Sequence, residues 1–357
     1  MSQDAITLIE QMGLDQHVAP FVKPHFEGFE NPERIEIALQ YLEENEVLKG
    51  ILKMKTPRAS RDDALLVHSP YLVHSVEVMS DLGGGQLGES SYASEDLLSS
   101  ALHALGGALL AAELVIDNSC RHSFALIRPP GHHATTSSSM GLCFFNNVAI
   151  ATKNILKYEG IERVTILDID DHFGNGTAEI FYEDPDVQFI SIHEYDYKSF
   201  GLGHYREIGR GKGKGTNINI PLLEDSPDSS YQSAIAKIVV PAIEQFNPDV
   251  IGVSAGYDAH FTDPIGDMSI DSKTYWFVAK EIERLVESLS LRGSFWVLEG
   301  GYNPLVLGPC IRATLEGLQR QSVPVLEDQE ERPEDENIVR KNMRWINKIW
   351  KEVSTVF

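Results

Sequence analysis

Five short apolar runs recur along this chain, and each leads into histidine, aspartate, tyrosine or glycine. They are SFALI (123–127), VTILDI (164–169), VQFISI (187–192), DVIGVSA (249–255) and SFWVLE (294–299). Helix-like stretches separate them, such as the amphipathic YWFVAKEIERLVESL before the last. Strands that alternate with helices predict a parallel sheet. The runs continue into RPPGHHA, DDHFGNG, HEYD, GYDAHFTDP and GGYN. In open α/β sheets ligands bind beyond the carboxyl ends of the strands, so five such ends predict one shared active site.

The densest of these ends is LDIDDHFGNGT (167–177). Asp168, Asp170 and His172 stand two apart and share one side of an extended chain. Ionisable groups in a row at a buried strand end need cationic partners. A catalytic zinc takes three ligands from His, Asp and Glu and leaves a fourth position for water. Asp170 and His172 can supply two of these, and Asp258 or Asp263 the third. His132 and His133 follow a double proline in a loop fixed by its prolines and glycines. Tyr302, after two glycines, can bring its hydroxyl close to a substrate.

Charge and cysteine content narrow the partners. The chain carries 53 acidic and 30 basic residues, a net charge of −23 over 357 residues. That balance argues against nucleic acid, which binds clustered cations. Cys120, Cys143 and Cys310 form neither a disulfide framework nor a cysteine zinc site, and they fit a reducing cytoplasm. MSQDAITLIEQ lacks the pattern of a secretory leader, and no stretch is read as the ~20 apolar residues of a membrane span.

Two helices are predicted early in the chain. One lies within 31–50, from Ile35, Leu39 and Leu42, and a buried one covers 97–116. Near the end, EDQEERPEDE (327–336) reads as an exposed acidic linker. Val339, Met343, Ile346, Trp350 and Val353 then form an apolar stripe. The stripe predicts a terminal helix packed on its own domain, or else an oligomer contact. The chain therefore divides into a main domain, 1–325, and a linker with packed helix, 326–357.

RPPGHHA, GLCFFNNVAIA, LDIDDHFGNGT, SAGYDAHFTDPIG and LEGGYN occur in the order and spacing of the zinc-dependent histone deacetylases and their prokaryotic relatives. From about Asn31 to residue 320 the chain resembles that family. The asparagine of GNGT and the glutamate of LEGGYN resemble its class II branch. The resemblance implies a single three-layer α/β domain with a central, mostly parallel sheet, the arginase/deacetylase fold.

It also implies one catalytic zinc ion per chain on Asp170, His172 and Asp263, with Asp258 set aside. Asp168 would hold His132, and a structural potassium ion would lie among Asp168, Asp170, His172 and Ser191. The implied reaction is amide hydrolysis on an acylated lysine or a small acylated amine. His133 would act as general base and acid beside His132, Asn175 would pair with His133, and Tyr302 would bond the developing oxyanion. Gly141, Leu142, Phe200, Gly201 and Ile265 would line the substrate channel.

The chain departs from the family pattern in three places. Phe173 follows the zinc histidine where relatives commonly have a second histidine, and it is expected to alter packing without loss of metal. Leu142 and Gly201 stand where phenylalanines usually wall the channel, with Phe200 as a partial substitute, which widens the expected range of acyl chains. Ile265 occupies the position where polyamine-selective relatives can carry an acidic residue, and it offers no charge. A di-manganese ureohydrolase of the arginase type would need Asp-x-His-x-Asp ligands that this chain lacks. An inactive acyl-lysine or small-ligand binding protein would show a damaged constellation.

Overall fold

Along the last strand of the central sheet, Trp296 and Leu298 face one layer of helices, while Phe295 and Val297 face the other. The same alternation runs through the other strands, with Leu167 and Ile169 on one side and Val164 and Ile166 on the other. Both faces are covered, which is why these strands read as unbroken apolar runs. A computed structural model describes residues 5–195, 201–326 and 332–354.

The strands are β1 (Ile6–Glu10), β2 (Leu52–Lys55), β3 (Gly84–Gly88), β4 (Ser91–Ser94), β5 (His122–Leu126), β6 (Val164–Asp168), β7 (Val187–Glu194), β8 (Asn217–Leu222), β9 (Val250–Ala255) and β10 (Ser294–Leu298). Eight of them form one sheet in the order β2-β1-β5-β10-β9-β6-β7-β8, and β3 and β4 form a separate antiparallel hairpin. Every pairing in the large sheet is parallel. The Leu97–Ile116 and Asn147–Ile155 helices pack on one face. The Glu33–Glu44, Ser272–Ser288 and Pro304–Leu318 helices pack on the other. The expected three-layer α/β architecture is therefore present.

The five predicted strands all form, with ends within a residue or two of those expected. β1, β2 and β8 are additions to the large sheet, and the β3–β4 hairpin is a further one. β2 (LKMK) is a largely exposed edge strand and carries no apolar run. β8 (NINIPL) has asparagines, poor strand formers, between its isoleucines.

The Leu97–Ile116 helix corrects one expectation. It is long and apolar enough to cross a membrane by length and composition. Its apolar surface is used inside the domain, where Ala104, Ala108, Ala111 and Val115 are fully buried against the sheet. The terminal helix, Glu336–Val353, also packs on its own chain, since Ile346, Ile349 and Val353 join the larger core.

Candidate active site

β5, β10, β9 and β6 are adjacent in the centre of the sheet, and their carboxyl ends carry four of the five polar segments. The chain leaves β6 at Asp168, so Asp170 and His172 lie in the loop beyond the strand. Asp170, His172 and Asp258 each present an atom within 4.8 Å of the others. Nδ1 of His172 is 3.0 Å from Oδ2 of Asp258 and 3.2 Å from Oδ1 of Asp170. Both carboxylates are buried. A Cβ at Gly256 would collide with Asp170, and one at Gly300 with Asp170 and Asp258, so these two glycines leave room for the carboxylates.

The expected third ligand, Asp263, is not in this set. Its Oδ1 accepts from the main-chain N–H of Ile265 and Gly266, and its Oδ2 from those of Tyr302 and Asn303. Its carboxylate thus ties the β9 loop to the β10 loop, and Asp258, three residues past the end of β9, takes the place beside His172. Burial, and then the nearby Asp258, push the Asp263 carboxyl up to about 7.

The two histidines of RPPGHHA are held differently. His132 donates from Nδ1 to Oδ2 of Asp168 at 3.0 Å, and its Nε2 lies 3.7 Å from Asp170. Burial alone would lower this imidazole, but the charges of Asp170, Asp168 and Glu299 outweigh it and raise it to about 10. His133 donates from Nδ1 to Oδ1 of Asn175 at 2.7 Å, which leaves its Nε2 as the free acceptor. Burial, and then the charges of His132 and His172, push His133 well below the usual histidine range. The His133 ring lies 4.0 Å from that of His132 and 6.0 Å from that of His172, centroid to centroid. A base at one nitrogen and a fixed positive charge nearby can serve proton transfer.

Gly141 lies flat on His133, because a Cβ there would strike the imidazole, and its φ is +56°. Leu142 is buried and lines a small pocket with His17, Tyr92 and Phe144. Ile265 is half-buried in the loop that Asp263 ties down. Gly201 is exposed, and Phe200 lies outside the described residues. Phe173 packs 4.8 Å from His193 and 6.3 Å from Phe189, away from the carboxylates.

Ser191 sits opposite Asp168 in the register of β6 and β7. Nε2 of His193 donates to Gly203 O, so its Nδ1 accepts from the Ser191 hydroxyl at 2.8 Å. The lone pairs of Ser191 Oγ are left facing away from that bond.

Several residues that build the site gave little sign of it in the sequence. Glu299 accepts from the main-chain N–H of Gly131 and His132 and fixes the histidine loop to the end of β10. Burial raises it to about 7. Asp171 accepts from the N–H of Asp267 and Met268, which joins the β6 and β9 loops. Arg128 is buried against Glu30 and the carbonyls of Leu14, Gln16 and His17. Arg34 also pairs with Glu30, donates to Gly301 O and Glu299 O, and lies 4.7 Å over the ring of Tyr302. Tyr302 is buried, which pushes its hydroxyl well above the usual range. The arginine and the glutamate of RPPGHHA and LEGGYN were in view as motif letters. Only their long-range partners reveal what they do.

The chain matches the family model of the histone deacetylase domain over residues 28–318. It is 38% identical over 276 residues to a probable deacetylase of Archaeoglobus fulgidus, an alignment spanning 77% of this chain and 76% of that one. It is 35% identical over 262 residues to a histone deacetylase-like amidohydrolase of Pseudomonas aeruginosa, covering 73% and 69%. Against histone deacetylase 14, chloroplastic, of Arabidopsis thaliana it is 42% identical over 219 residues, 60% of this chain and about half (51%) of that protein. The crystal structure of the HDA15 HD domain superposes with a TM-score of 0.85 at 26% identity, over 99% of this chain and 97% of that one.

Proposed function

The chain belongs to the histone deacetylase family, and we propose that it is a zinc-dependent hydrolase that removes acyl groups from the amine of acyl-lysine or a related acylated amine. The observation that carries this reading is the juxtaposition of Asp170, His172 and Asp258 with the free Nε2 of His133. Two carboxylates and one imidazole converging from two loops form a three-ligand donor set of the kind a catalytic metal takes. Zinc bound there would supply a Lewis acid for the amide carbonyl and a water acidic enough to attack near neutral pH.

The chain's own residues supply the rest. His133 accepts the proton of the attacking water at Nε2 and returns it to the leaving amine. Asn175 holds the tautomer that makes this possible, and the charge on His132 keeps His133 neutral. Tyr302, braced by Arg34, donates its hydroxyl to the oxyanion as the carbonyl becomes tetrahedral. A structural potassium ion beside Asp168 belongs to the same reading, with the outward lone pairs of Ser191 as the supporting detail.

Two measurements test the proposal together. Elemental analysis should give one zinc per chain, and a fluorogenic acetyl-lysine peptide should be hydrolysed and then spared after chelation. Two manganese ions per chain with full activity would refute it. A panel of acyl-lysine peptides and acetylpolyamines then sorts the substrate class.

A further inference from the structure

The Glu336–Val353 helix lies beyond the part of the chain that matches the family model, yet it reaches a loop at the edge of the site. Its core face is formed by Ile346, Ile349 and Val353. Beside that face Trp345 packs on Tyr205, with centroids 5.6 Å apart at 44°. The ammonium of Lys348 sits 4.9 Å from the Tyr205 ring and 5.0 Å from the Trp345 ring. Tyr205 is 3% exposed, so the grip is on a buried ring.

From Tyr205 the contacts run on into the loop. The His204 ring lies 4.3 Å from that of Tyr205 and 6.0 Å from that of Tyr195, whose hydroxyl donates to Gly201 O at 3.1 Å. His193 donates to Gly203 O, and Asn219 of β8 donates to His204 O. Gly203 has φ +90°, and a Cβ there would lie 2.8 Å from Cγ of Phe173. Phe173 directly follows His172.

We propose that Trp345 is a positioning residue. With Lys348 it clamps Tyr205 and so sets the loop 201–207 against Phe173, on the flank of the catalytic site, where that loop shapes the approach of substrate. A helix beyond the segment that matches the family model thereby tunes substrate binding without touching the reacting atoms. The kinetic part of this inference rests on the hydrolase reading above, and the structural part does not.

The experiment compares wild type, Trp345→Ala, Trp345→Phe and the milder Lys348→Ala at an exposed position, all as full-length, metal-loaded protein. Hydrogen exchange should quicken about three- to tenfold in 201–207 in Trp345→Ala, as expected for losing an aromatic and a cation–π contact. β6 and β9 should be unchanged, and Trp345→Phe should restore the loop. KM for an acetyl-lysine peptide should rise by a similar factor with kcat held within about twofold, the pattern of lost binding that the ground and transition states share. Should Trp345→Ala fail to fold, Lys348→Ala should show the same changes on a smaller scale. Unchanged exchange in 201–207 overturns the clamp, and a loosened loop with unchanged KM overturns its role in binding. A wild type that hydrolyses no acyl substrate sinks the hydrolase reading, while the exchange data still decide the clamp.

Discussion

Nδ1 of His133 and Oδ1 of Asn175 are 2.7 Å apart, and this one bond decides which nitrogen of the histidine is free to take a proton. Because Asn175 is an amide, it adds no charge to the pair, and burial with two cationic neighbours keeps His133 low. Asn175→Asp would place a carboxylate there and favour the imidazolium, raising the pKa by ~1–3. The acid limb of kcat/KM against pH should move up by the same amount, so activity falls more at pH 6 than at pH 9. A limb that stays in place would show that His133 is not the base.

Asp258 and Asp263 lie on one loop and separate cleanly by their bonds. Asp258→Asn should weaken metal binding by more than the ~10–100-fold typical of losing an outer partner. Asp263→Asn should retain the metal, because its oxygens are engaged by four main-chain N–H groups. Metal content after dialysis against a weak chelator distinguishes the two variants. Loss of metal in Asp263→Asn alone would restore the assignment expected from the motif.

Tyr302→Phe removes one hydroxyl and leaves the ring under Arg34. If that hydroxyl serves the oxyanion, kcat should fall ~10²–10³-fold with folding and metal content unchanged. A kcat near wild type would make the residue structural only.

The family resemblance expects an aromatic channel wall where this chain has Leu142, whose side chain is buried beside Phe144. Space freed there should let wild type take butyryl-lysine at least as well as acetyl-lysine, since each buried methylene is worth ~0.8 kcal/mol. Leu142→Phe should reverse that preference in kcat/KM. A wild type that strongly prefers acetyl, with no change in the variant, would show that neighbouring side chains already close the channel.

His68 donates from Nδ1 to Thr135 O, and its Nε2 accepts from the N–H of Asn146 at 2.8 Å. The bond from Asn146 needs an unprotonated Nε2 and hence the neutral ring, and burial pushes its pKa down to about 4. The unfolded chain protonates near 6.5, so this contribution to stability is complete above that pH and is lost as pH falls from 6.5 to 4. The difference corresponds to about 3 kcal/mol. His68→Gln should flatten the acid slope of unfolding free energy across that window while lowering stability at pH 7. An unchanged slope would rule this out.

The strands were legible where burial on both faces left a run of apolar letters, as in β5, β6 and β10. β2 and β8 hid because one is an exposed edge and the other interleaves isoleucine with asparagine. Those asparagines have a purpose in three dimensions, since Asn217 and Asn219 hold the carbonyls of Glu207 and His204. Within the site, the histidine pair, Asp168, Asp170, His172, Asn175 and Tyr302 converge at the sheet's carboxyl edge as their positions at strand ends predicted. The residues alone left Asp258 and Asp263 open and the resemblance pointed to Asp263, whereas the fold puts Asp258 beside His172, because five residues of loop can turn either carboxylate inward. Apart from the Arg34–Glu30 pair four residues apart, Glu299, Arg34 and Arg128 act through partners roughly a hundred or more residues away, and no local pattern announces such a bond.

The strand order has a consequence for how the molecule is made. β5 and β6 follow each other in the chain but are separated in the sheet by β10 and β9, so His122 pairs with Ser294, which is translated far later. A nascent chain that has produced β1 through β8 holds two half-sheets with unpaired apolar edges facing a gap. Only the last two strands to arrive can fill it. Such delayed, distant pairing is slow and leaves the edges open to aggregation until β9 and β10 arrive. The same two strands bring Asp258 and Tyr302, so activity should appear only with the final insertion and never in a partly folded intermediate.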